Sequence, residues 1–242
     1  MLSKLKKDLR KVAKKEKAKA LSRFFKAGRG QYGEGDIFLG VMVPQSRIVA
    51  KKYENLPFVH IQKLLDSPIH EERLVALLIL VEQYQKGDTT LRKKVFEFYI
   101  KNLKCANNWD LVDLSADKIL GAQLFRQMVS CPKKMRTLFS KLSSSSNLWE
   151  RRASIVATSY FIKHGEFVPT LDIAERLIAD KHDLIHKAVG WMLREVGKRD
   201  LGTLESFLLE KSRYKTMPRT MLRYAIERFP EPKRKKYLFG TM

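Results

Sequence analysis

The segment NNWDLVDLSADKIL (107–120) places Val112, Ser115, Ala116 and Ile119 at the i, i+3, i+4, i+7 spacing of one helix face. The same spacing recurs at Leu74-Leu77-Leu78-Val81, Ala153-Val156-Ala157-Tyr160, Val189-Met192-Leu193-Val196 and Leu222-Ala225-Ile226-Phe229. Successive stripes start 38, 41, 36 and 33 residues apart. Further helical stretches fall between them at 57–66, 88–104, 132–142, 167–180 and 203–211. No alternating strand pattern competes, and the short apolar run IFLGVMVP (37–44) is interrupted by Gly40 and Pro44.

A helix pair recurring at this interval matches the ~40-residue period of HEAT-like and armadillo arrays. The pattern therefore predicts an all-α chain, an α-α superhelix of HEAT-like repeats with one concave face. Turn signals at Ser67-Pro68, Gly87-Asp88, SSSSN (143–147) and Lys198-Arg199-Asp200 fit these divisions. The serine run is too short for a domain linker, so 1–242 is expected to form a single domain. Residues 1–27 read as one basic amphipathic helix with Leu2, Leu5, Leu9 and Val12 on one side, and 233–242 as a basic C-terminal tail around KRKK (233–236).

Charge points to the partner. Lys and Arg outnumber Asp and Glu by 48 to 26, a net charge of +22. Residues 1–30 account for +10, and the body still carries +12. Such a balance selects a polyanion, nucleic acid before an anionic membrane surface. No apolar run reaches the ~20 residues of a membrane span, and the N-terminus lacks the apolar core of a secretory signal. Cys105 and Cys131 are isolated, without ligand spacing, as in a reduced, cytoplasmic protein.

Basic residues stand at the mouths of most stripes: Arg73, Arg152, Lys187 and Arg219. Repeated along a solenoid, they would form a phosphate track; a solvated face without a partner is the alternative. At the second stripe the comparable position holds Asp113, an acid among bases. Trp109 lies four residues before it, on the same helix face. Lys187, Trp191, Arg194 and Lys198 step by 4, 3 and 4 and share a face too, with Trp191 roughly 200° from Val189 and so off the core stripe. There the indole either stacks on a nucleotide or packs against the neighbouring repeat. Trp149 opens a helix at NLWERR, where packing as a staple is the stronger reading.

Other motifs carry less. GRGQYG (28–33) matches GxGxxG but follows a helix and lies in no βαβ unit, so a basic loop is expected rather than a dinucleotide site. His182 and His186 are four apart without further ligands, so no metal is expected.

GQYGEGDIFLGVMVP (30–44), WDLVD (109–113), NLWERRA (147–153) and IHKAVGWMLREVGK (185–198), in this order along the chain, resemble signature segments of the AlkD-like DNA alkylation-repair glycosylases. The resemblance spans about residues 20–200. It implies a HEAT-like fold that grips duplex DNA and hydrolyses the N-glycosidic bond of cationic alkylated purines, of the 3-methyladenine and 7-methylguanine types, in base-excision repair. It places the catalytic aspartate at Asp113, the lesion-flanking tryptophans at Trp109 and Trp191, and the backbone-gripping arginine at Arg152. A tyrosine of the family falls at Phe24, which lacks the hydroxyl, and Tyr32 substitutes only if its loop folds inward. The expected contacts to DNA are Arg73, Arg152, Lys187, Arg194 and Arg219. The expectation is a cytoplasmic, nucleoid-associated monomer without metal or small-molecule cofactor. Two other readings stay open: a HEAT-type module that binds nucleic acid without cleaving it, and a helical scaffold for acidic proteins.

Overall fold

The computed structural model describes residues 1–242. It is helical nearly throughout, and its one strand-like pairing is a parallel bridge between Ile37 and Ile69. The residues gather into two compact units, Met1–Leu120 and Gly121–Met242.

Unit 1 contains α1 (Leu2–Lys11), α2 (Lys15–Phe24), α3 (Val43–Lys52), α4 (Phe58–Leu65), α5 (His70–Lys86), α6 (Thr89–Lys101) and α7 (Trp109–Ser115). Its centre is α5, buried at every position from His70 to Val81. A helix covered on all sides needs apolar residues all round, and α3, α4, α6 and α7 pack against this one. The stripe 112–119 is likewise inside, with Val112, Ala116 and Ile119 fully buried.

The N-terminal basic helix expected over 1–27 is two helices. α1 is pinned through Leu5 and Leu9, through Lys6 and Arg10 on the buried Glu72, and through Asp8 on Lys52 and Tyr53. The chain then turns at Val12–Lys14, with Lys14 extended, so that Phe25 at the end of α2 can bury against Phe38 and His70. One straight helix could not meet both anchors. Gly40 lets the chain pass close to α2, since a Cβ there would lie 2.0 Å from the Lys14 carbonyl oxygen.

The helices Val43–Lys52 and Ala122–Ser130 were not expected from the spacing. α3 begins just after the apolar run, with Pro44 in its first turn. Proline breaks a helix interior but suits its start, where the missing N–H is not needed. After α7 the backbone widens into a π turn (Asp117–Gly121) and continues as α8 (Ala122–Ser130). Such widened turns are often found at functional sites.

Unit 2 contains α8, α9 (Pro132–Ser143), α10 (Leu148–Lys163), α11 (Val168–Leu177), α12 (Asp183–Gly197), α13 (Leu201–Leu209), α14 (Arg213–Thr216), α15 (Arg219–Ala225) and α16 (Glu231–Phe239). α12 is its centre, packed against α10, α11, α13 and α15. The stripes 189–196 and 222–229 are buried, and the stripe on α10 is buried except at its half-exposed end, Tyr160. The basic segment 233–242 is no solvated tail. It is mostly α16, anchored by fully buried Tyr237 and by the Lys233–Glu205 ion pair at 2.6 Å. Tyr237 holds it because an apolar ring on one helix face outweighs the charge on the other.

α12 and α15 meet backbone to backbone at Gly190, where a Cβ would lie 2.5 Å from the Met221 carbonyl oxygen. A main-chain atom cannot yield cheaply, so Gly190→Ala is expected to cost about 1–3 kcal/mol. The check is the urea midpoint, and an unchanged value would contradict the close approach.

Candidate functional site

In unit 1 the site is built on the start of α7. Asn108 caps this helix by accepting from the Trp109 N–H at 2.8 Å, and its Nδ2 donates to the Phe25 carbonyl at 3.5 Å. Trp109 therefore stands at the first helical position, half-buried, with Asp113 one turn later on the same side. Phe24 and Phe25 flank the indole, at ring-centroid distances of 5.7 and 5.2 Å. Phe24 is 62% exposed, an apolar ring held at the surface beside Trp109. Phe24, Phe25, Phe38, Met42, Trp109 and Asp110 help to line a cavity of ≈ 280 Å³.

A buried charge cluster supports this helix start. His70 sits between two carboxylates, its Nδ1 3.0 Å from Asp36 Oδ2 and its Nε2 2.9 Å from Asp110 Oδ2. Both ring nitrogens face acceptors, so the imidazolium donates from each. Burial opposes this charge, but the bonds to Asp110 and Asp36 prevail and raise the His70 pKa to about 9. Burial also works against the Asp36 anion, yet His70 and Arg73 hold its pKa below the usual range. Phe25 and Phe38 stack on the His70 ring at 5.0 and 4.7 Å. The loop at Asp36–Phe38, the start of α5 and the start of α7 are thus tied at one point.

That cluster makes stability depend on pH. A group whose pKa is raised on folding stabilises fully below its unfolded value and loses that effect as pH passes its folded value. For His70 the window runs from the ordinary 6.5 to about 9. The melting temperature of the wild type is expected to fall across this window, with up to about 3 kcal/mol involved. His70→Gln should melt lower at pH 6.5 and show a flatter profile. Parallel profiles for the two proteins would remove His70 from the linkage.

Asp113 lies near the phenol of buried Tyr99, which hydrogen-bonds Ser115 Oγ at 2.9 Å. Burial first, and then the negative charges of Asp117 and Asp113, keep that phenol protonated.

Arg73, expected at a phosphate, is elsewhere. It is 4% exposed, and it donates to Asp36 Oδ1 at 2.6 Å and to the Ser67 carbonyl at 2.7 Å. Its place in the first turn of α5, a helix buried all round, explains why.

In unit 2, α12 carries Lys187, Trp191 and Arg194 along one side. Trp191 is half-buried, off the buried stripe of Val189, Met192, Leu193 and Val196. Lys187 is half-buried and pairs with Asp183 at 2.7 Å. Arg194 pairs with Glu227, and Arg219 is exposed with one nitrogen donating to the Leu238 carbonyl at 2.7 Å. Arg152 departs from the expected exposed contact. It is 5% exposed, and its Nη1 donates to the Leu184 carbonyl at 2.5 Å, joining α10 to the start of α12. Trp149 is buried, as a packing residue would be.

The remaining motifs have structural roles. In the 28–36 loop the Glu34 carboxylate accepts from the Gly30 N–H at 2.8 Å, so an acid occupies the place a phosphate would take. His182 caps α12 by accepting from the Leu184 N–H, and His186 bonds the Asp180 carbonyl. The His70 cluster was not anticipated. Its signal was HEER (70–73), four polar or charged residues directly before the unbroken apolar run LVALLILV (74–81).

The fold and these residues define a class. The chain belongs to the DNA alkylation repair enzyme family, whose model matches residues 5–229. A solved structure described as a predicted DNA alkylation repair enzyme from Enterococcus faecalis has the same fold. It aligns with a TM-score of 0.69 at 17% identity, over 90% of this chain and 97% of that one. No curated protein matches the sequence. No helix is long and apolar enough to cross a membrane.

Proposed function

We propose that this repair enzyme is a DNA glycosylase that releases cationic alkylated purines, of the 3-methyladenine and 7-methylguanine types, from duplex DNA. The observation that carries the reading is the Trp109–Asp113 pair on α7, a carboxylate one helical turn from an indole in a chain of net charge +22. A carboxylate on a DNA-binding face repels phosphate, so its use lies in meeting positive charge.

The chemistry suits such a group. Methylation at N3 or N7 makes the purine cationic, and the base departs as a neutral species when its bond to C1′ breaks. Both electrons of that bond go to the base nitrogen. Oxocarbenium character develops at C1′, as in glycoside hydrolysis. Asp113 stabilises it and orients the water whose oxygen forms the new bond to C1′, while the water's proton passes to the carboxylate or to solvent. The faces of Trp109 and Trp191 each favour the cation by about 0.5–2 kcal/mol. Lys187, Arg194 and Arg219 are assigned to phosphates. No cofactor takes part, and the protein acts as a monomer.

Two duplexes test the reading, one with a single 7-methylguanine and one with a single O6-methylguanine, which is neutral. The expected result is release of the first base and retention of the second. Retention of both, with tight binding, would favour a module that recognises DNA without cutting the bond.

A further inference from the structure

The cations expected to hold DNA are largely committed within the protein. Arg73 and Arg152 are buried, Lys187 and Arg194 have acidic partners, and Arg219 donates to a carbonyl. Of the five cations of α1, Lys6, Arg10 and Lys11 are likewise answered by Glu72 and Asp8, leaving Lys4 and Lys7. α2 differs. Its sequence, KEKAKALSRF, holds four cations and one acid, Glu16, and none of its residues is buried. Lys15, Lys19 and Arg23 are exposed, at successive i, i+4 positions, and make no ion pair or hydrogen bond. They form a row with about 6 Å between neighbours. Ala18, Leu21 and Ser22, half-buried, and buried Phe25 just after the helix are the ones turned inward.

Such a row costs stability in the free protein. Like charges four apart repel by about 0.2–0.5 kcal/mol for each pair. Nothing within the fold relieves them, whereas a line of anions would. The row also ends beside the candidate site, because Phe24, the last residue of α2, touches Trp109 at a centroid distance of 5.7 Å.

We propose that α2 is a phosphate-binding ridge, on which Lys15, Lys19 and Arg23 hold phosphates of one strand of duplex DNA next to Trp109. The proposal rests on the reading that duplex DNA is the substrate. DNA presents a charge every ~3.4 Å of axis along each strand, so a row with ~6 Å steps meets about every second phosphate or follows the backbone obliquely. Phe24 then marks where the ridge gives way to the base or sugar. The N-terminal cations are in this view part of the substrate site rather than a solubilising tail.

The triple variant Lys15→Gln, Lys19→Gln, Arg23→Gln tests this. Glutamine keeps the helix propensity of lysine and arginine, so the melting temperature should be unchanged or slightly higher. Binding to an unmodified duplex, measured by fluorescence anisotropy between 50 and 300 mM salt, should weaken by at least about tenfold at the lowest salt. The salt slope should fall by about 2–3, near 0.9 for each lost contact. Unchanged affinity and slope would overturn the proposal, even if the wild type releases alkylated bases. Loss of affinity only for phosphatidylserine vesicles, or only for an acidic peptide, would overturn it in favour of that partner. If the triple variant loses duplex affinity but the wild type releases no base, the ridge stands and the glycosylase reading fails.

Discussion

Asp113→Asn is expected to lower single-turnover release of 7-methylguanine by about 10²–10³, the usual effect of losing one well-placed electrostatic stabiliser. Asparagine keeps the size of the side chain and part of its hydrogen bonding. It removes the negative charge on which the cationic transition state depends. Duplex affinity should be equal or slightly higher, because a source of repulsion for phosphate is gone. Asp113 is half-buried on α7, whose Val112 and Ala116 hold the helix in the core, so the melting temperature of Asp113→Asn is measured beside its activity. Trp109→Ala and Trp191→Ala should have smaller effects, greater for cationic than for neutral leaving groups. Equal release by wild type and Asp113→Asn would take Asp113 out of the chemistry.

Arg73→Ala is expected to destabilise unit 1 by about 3–5 kcal/mol, because removing one partner of a buried ion pair strands the other. Asp36 would keep His70 but lose its 2.6 Å bond to the guanidinium, and the Ser67 carbonyl would lose its donor. The double variant Arg73→Met, Asp36→Asn should recover much of the loss, since apolar or neutral replacements of both partners are tolerated far better than one unpaired charge. Urea denaturation reads both. A surface arginine gripping phosphate would behave otherwise: stability would be untouched and the salt slope of DNA binding would drop by about 0.9.

The helical scaffold was legible because each stripe obeys one period and each is buried as a unit. Val112-Ser115-Ala116-Ile119 and Val189-Met192-Leu193-Val196 were read from spacing alone and lie inside. What the spacing did not show came from residues with two possible uses. Pro44 reads as a breaker yet starts α3, and Val12 reads as the next step of a stripe yet is 38% exposed where the chain turns. The pair Trp109–Asp113 was visible because four residues on a helix define a face without reference to the rest of the fold. The role of the arginines was not. Arg73 and Arg152 occupy the same sequence position as a phosphate contact would, and only the packed neighbours, Asp36 and the Leu184 carbonyl, turn them inward. Long-range partners such as Asp36, His70 and Asp110 are separated by 34 and 40 residues, and no periodicity links them.

The central claim is that this protein breaks the glycosidic bond of a cationic purine with Asp113. The most direct test counts abasic sites formed in a duplex bearing one 7-methylguanine, with enzyme in excess, for wild type and Asp113→Asn under identical conditions. The account predicts near-stoichiometric abasic sites with the wild type and a rate lower by about 10²–10³ with the variant, while both bind the duplex. No abasic sites with the wild type, despite saturating binding, would contradict it.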